Sequence, residues 1–117
     1  MNPPNNKLQY LLLLRQPPGP RPPPEFLEPV MVKFAEWMKS LQAKKIVVAT
    51  NGLETTGKVL RGPGGKSISD GPYPEAKEIV GGYVLISVDT EAEAIAAAQG
   101  CPGLNYAMVV ELRPVAH

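Results

Sequence analysis

Apolar and polar residues alternate along this chain with two periods, and each period marks out elements. From Lys7 to Arg15 the period is two. Leu8, Tyr10, Leu12 and Leu14 take one side, and Leu11 and Leu13 the other, between Gln9 and Arg15. A strand apolar on both faces in its middle belongs at the centre of a sheet. Then the period changes to that of a helix. Leu27, Met31, Phe34, Met38 and Leu41, with Val30 and Trp37, form a stripe wide enough to cover a sheet, and Pro29 suits the first turn. Core packing is the favoured reading of the Phe34/Trp37 pair over a cofactor box. Ile46 to Thr50 is a short strand ended by the turn signal Asn51-Gly52. Thr55–Arg61 and Lys66–Ser69 flank Gly62-Pro63-Gly64-Gly65 and read as a hairpin.

Asp70-Gly71-Pro72-Tyr73-Pro74 follows and cannot enter the interior of a helix or a sheet. Pro74 then opens a short helical stretch, Glu75–Val80, stopped by Gly81-Gly82. Tyr83 to Asp89 is a strong strand, with Tyr83, Leu85 and Ser87 on one face and Val84, Ile86 and Val88 on the other. Thr90 and Glu93 make a capping box for a helix that ends at Gly100. Ala107 to Arg113 is the last strand.

The predicted order is β, α, β-hairpin, β, α, β. Right-handed crossovers put both helices on one face of one sheet. The other face is then uncovered. Either Tyr83 and Leu85 or Val84 and Ile86 must point to it, along with two leucines of the first strand. An exposed apolar patch of that kind marks an association surface. The expectation is a homodimer through the open sheet face.

The segment from Ser69 through Asp70-Gly71-Pro72-Tyr73, Glu75, Lys77-Glu78 and Gly81-Gly82 to Tyr83 closely resembles the DGPF signature of the YCII-related domain proteins. Cys101-Pro102-Gly103 and Val110-Glu111-Leu112-Arg113-Pro114-Val115 match the close of the same family. The resemblance runs from about Lys7 to Val115, loosely before Thr50. It implies an α+β, ferredoxin-like βαββαβ sheet with two helices on one face, assembled as a dimeric α/β barrel. That barrel also hosts monooxygenases, lactone isomerases and heme-handling enzymes, so fold does not fix function. In a related branch a histidine and an aspartate are the proposed active-site pair. Here the one histidine is His117, outside any shared motif, and only Asp70 carries over.

Composition narrows the picture. A chain of 117 residues fits one domain, 1–117; seven of its 14 prolines fall between 17 and 29, and six of these (17, 18, 20, 22, 23 and 24) make 16–24 an extended connector. A net charge of +1 without a basic stripe argues against nucleic acid. Leu11 to Leu14 is too short to cross a membrane, and the start does not read as a signal peptide. One cysteine forms no internal disulfide, and a reducing compartment such as the bacterial cytoplasm is expected. Cys101 reads as a buried structural thiol, because no internal histidine could act as its base. Gly62 to Gly65 lacks phosphate-loop spacing. Glu75 and Glu78 lack histidine partners, so no metal and no cofactor is expected.

Candidate chemistry gathers around Asp70, Tyr73, Lys77, Glu78, Tyr83, Glu111 and Arg113. Asp70 is the candidate general base, with a turn-locking role through backbone N–H groups as the favoured alternative. Tyr73, Lys77, Tyr83, Glu111 and Arg113 are the candidate ligand-binding residues. Glu111 and Arg113, two apart on one face, read chiefly as a surface or interface ion pair. Two functions stay open. One is a small-molecule-binding or accessory homodimer. The other is a cofactor-free lyase or isomerase acting on a hydrophobic carboxylate or lactone, with Asp70 as base and Arg113 as anion anchor.

Overall fold

In the computed structural model of the chain, which describes residues 7–18, 23–71 and 78–116, everything is arranged around the first strand. This is β1 (Leu8–Gln16). It is followed by α1 (Pro24–Ala43), β2 (Val47–Gly52), the hairpin strands β3 (Gly57–Arg61) and β4 (Ser67–Gly71), β5 (Ile79–Val88), α2 (Glu91–Gln99) and β6 (Val109–Pro114). The main sheet has the order β2-β5-β1-β6, and every neighbouring pair is antiparallel. That is the ferredoxin-like βαββαβ arrangement, with β3 and β4 inserted as a separate two-stranded sheet. β1 takes the inner position that its two apolar faces require.

Tyr10 and Leu12 of β1 and Val84, Ile86 and Val88 of β5 form one core with Trp37 and Leu41 of α1 and Ala94 and Ala97 of α2. Both helices therefore lie on one face of the sheet. A fully buried Leu or Ile contributes about 1.5–3 kcal/mol, and this set supplies the fold's main driving force. The alanines of α2 let it sit close to the sheet. Its start is fixed by a capping box: Thr90 Oγ1 accepts from Glu93 N at 3.2 Å and Glu93 Oε1 accepts from Thr90 N at 3.1 Å. The helices are tied by the Trp37 indole, which donates to Ala97 O at 3.0 Å in the core. Phe34 meets Trp37 edge-on with ring centres 6.0 Å apart. The aromatic pair is core packing, as expected.

Several boundaries differ from the sequence expectation. α1 begins at Pro24, so Pro29 lies inside it. The fixed φ of Pro24 suits the first helical position. The early turns overhang the core, leaving Met31 exposed although it falls on the stripe. The expected connector 16–24 loses Gln16 to β1 and Pro24 to α1, and residues 19–22 lie outside the described residues. Asn51 and Gly52 do not turn; they pair with Tyr83 and Gly82. Of the expected helix Glu75–Val80, residues 75–77 lie outside the described residues, while Ile79 and Val80 already belong to β5. Gly82 is not a helix stop. A Cβ there would sit 3.1 Å from Asn51 O, so glycine permits the close approach of β2. Ala107 has φ 67° and closes a 3-10 turn before β6 rather than opening the strand.

Candidate functional site

The face of the sheet away from the helices is built by parity. Partners across antiparallel strands share a face, so the register writes out its rows. Asn51, Tyr83, Leu13 and Glu111 form one row; Ala49, Leu85, Leu11 and Arg113 form the next; Gln9 and Ser87 lie beyond. The two alternations of β5 are thus told apart: Val84 and Ile86 are fully buried, and Tyr83 and Leu85 take the open face. Leu11, Leu13, Tyr83 and Leu85 are only half-buried in the single chain.

The polar end of this face is organised around Glu111. Arg15 donates to Glu111 Oε1 through Nε at 2.8 Å and through Nη2 as well. Arg113 Nη1 donates to Oε2 at 3.2 Å. The hydrogen bond from Arg15 is the main cause that lowers the Glu111 pKa, partial desolvation pulls the other way, and Arg113 adds to the lowering. Two guanidiniums face one carboxylate, so the cluster keeps a positive excess beside an apolar strip. That combination suits an anion carrying an apolar body. At the opposite edge Asn51 Nδ2 donates to the Tyr83 hydroxyl at 3.1 Å.

The expected site residues divide into three groups. Tyr83, Glu111 and Arg113 share the open face, and the Glu111–Arg113 ion pair is present. Asp70 stands apart on β4, in the inserted hairpin, where its side chain is 86% exposed and paired with Lys58. Its described partner is that ammonium; the backbone after Gly71, where a turn lock would act, lies outside the described residues. Tyr73 and Lys77 lie outside the described residues, as does Glu75. Glu78 is exposed just before β5 and lines, with Glu54, Thr56, Lys58, Gly71 and Val80, an open groove of about 370 Å³. Arg15 and Asn51 were not singled out from the sequence. Arg15 shares the parity of Leu11 and Leu13, which was a usable signal, but its partner lies 96 residues away. Asn51, a turn signal by local preference, pairs with Tyr83 instead.

Other residues settle into structural roles. Cys101 is buried in the core just after α2, and burial raises its pKa. Gly62, Gly64 and Gly65 adopt positive φ in the 3-10 turn between β3 and β4, which explains the glycines of the hairpin tip. Among the described residues, no cluster of three His, Cys, Asp or Glu side chains is spaced to hold a metal ion. No helix among them is long and apolar enough to cross a membrane.

A family model for the YCII-related domain matches residues 9–116, from the second residue of β1 to just past β6. The chain belongs to the YCII-related domain family. No curated protein matches the chain. The YCII-related match takes in the open face, the inserted hairpin and the Asp70-Gly71-Pro72-Tyr73 signature together.

Proposed function

We propose that this YCII-related protein acts as a homodimer that packs its open sheet faces together and binds a small anionic ligand beside Arg15, Glu111 and Arg113. The observation that carries the reading is the mixed character of the open face. Leu11, Leu13 and Leu85 form an apolar strip that no described element of the same chain covers, and a positive cluster lies at its edge. A two-fold axis through such a strip sets leucine on leucine, and it leaves the charged edge at the rim where a ligand has access. Tyr83, Glu111 and Arg113 are the ligand contacts in this reading, joined by Arg15; the expected contacts Tyr73 and Lys77 lie outside the described residues.

A binding or accessory role fits better than catalysis by Asp70. That carboxylate faces water with Lys58 as its partner, on a hairpin separate from the sheet that carries Arg113. A general base works best where burial and neighbours tune it. Sedimentation equilibrium tests the assembly, and a thermal-shift screen of small aliphatic and aromatic carboxylates tests the ligand class. A chain still monomeric at about 100 µM, where any dimer with a Kd well below that would be populated, would end the assembly reading. A screen in which Arg15→Gln and Arg113→Gln leave every hit unchanged would end the ligand reading.

A further inference from the structure

Among the described residues the β3–β4 hairpin lies outside the core, and its base, at Lys58, Val59 and Gly71, borders only the start of β5. Its strands hydrogen-bond to each other and to no strand of the main sheet. None of its residues enters the core. An isolated two-stranded hairpin is marginally stable in water at best, so a hairpin held out like this calls for a surface to lie on. Its two faces differ. On one, Val59 folds over the hairpin's own base, so close that a Cβ on Gly71 would lie 2.9 Å from Val59 Cγ2. On the other, Leu60 and Ile68 are cross-strand partners, 60% and 62% exposed. The next pair on that face is Lys58 and Asp70, joined as an ion pair. The outward face is thus an apolar pair with a self-neutralised polar border, the pattern of an interface patch.

We propose that this face docks on a second copy of the chain, so that each subunit's hairpin clasps its partner. The proposal rests on the homodimer reading above. Area argues for it. Four strands about 4.8 Å apart and about 20 Å of paired length give the open face a footprint of about 400 Å², or about 800 Å² for two copies. Stable interfaces bury about 1,200–2,000 Å², so face-to-face packing alone falls short. A hairpin about 17 Å long and about 10 Å wide, with the surface it covers, adds about 350 Å². Two of them bring the total into the stable range. The hairpin is also well placed to reach. It leaves the main sheet between Gly52 and Ile79, from the end that carries Asn51 and Tyr83 of the open face. The signature Asp70 then has a structural role: it pairs with Lys58 across the hairpin and keeps the docking face flat and neutral.

The test is sedimentation equilibrium of the full chain as wild type, as the double variant Leu60→Thr with Ile68→Thr, and as Leu13→Asn. Threonine keeps strand propensity while removing apolar area. The expected result is a wild-type dimer, disruption by Leu13→Asn, and a dissociation constant raised about tenfold or more by the double variant. A wild-type dimer with a smaller rise overturns the clasp and leaves the face-to-face dimer standing. A monomeric wild type removes both. Should the double variant melt early, hydrogen exchange on the wild type decides. Amides of β3 and β4 should gain protection as concentration rises through the dimer range, and concentration-independent protection overturns the clasp.

Discussion

Leu13→Asn is the most informative single change. Leu13 sits mid-row on the open face, between Tyr83 and Glu111, and it is half-buried in the single chain. If nothing packs there, the substitution exchanges a partly wet leucine for an amide and costs the monomer about 0.5–1 kcal/mol. If a second copy packs there, the remaining half of the leucine's burial is lost, about 1 kcal/mol on each subunit. Two-fold symmetry counts every change twice. Two amides must also be dried without assured partners, at about 1–3 kcal/mol each. The dimer then weakens by about 4–8 kcal/mol, or on the order of a thousandfold or more in dissociation constant. Sedimentation equilibrium reads the assembly, and a circular-dichroism melt checks that the monomer still folds. A variant that dimerises with unchanged affinity would refute the reasoning, because no face-to-face packing tolerates an amide there at no cost.

The other predictions concern the core, the signature and the charged cluster. Trp37→Phe removes the hydrogen bond to Ala97 O and leaves a void, so urea unfolding should report a loss of about 2–4 kcal/mol; a loss under about 0.5 kcal/mol would show that the indole does not tie the helices. Asp70→Asn breaks an exposed ion pair and should change stability by less than about 1 kcal/mol; a larger loss in a thermal melt would assign Asp70 the turn-locking role. Glu111, whose pKa is lowered chiefly by Arg15, stabilises fully above its ordinary value of 4.5. That stabilisation drains away as pH falls through the lower folded value. Glu111→Gln should therefore flatten the acid limb of the stability profile, and an acid limb as steep as the wild type's would assign acid sensitivity elsewhere.

What the sequence determined was whatever neighbours in the chain decide. The alternation of β1 announced a central strand because its side chains must satisfy two faces at once. The capping box of α2 involves residues three apart, and the core stripe of α1 follows from 3.6 residues per turn. The glycines of the hairpin tip encode a positive φ. Where local signals competed with pairing, they misled. Asn51-Gly52 is a turn signal in isolation, and Gly81-Gly82 a helix stop, yet both pairs lie where β2 and β5 meet, and ladder hydrogen bonds outweigh local preference.

Tertiary structure decided everything that depends on register. Both faces of β5 carry large apolar residues in sequence, and the docking of Trp37, Leu41 and Ala94 chose Val84 and Ile86 for burial and left Tyr83 and Leu85 open. Arg15 met Glu111 across 96 residues because β1 and β6 pair in one register, which no local pattern encodes. Asp70, the residue most conspicuous in the sequence, proved to sit on a hairpin outside the core. Short-range chemistry wrote the elements of this chain, and the long-range burial of one sheet face decided which side chains remained to form a site.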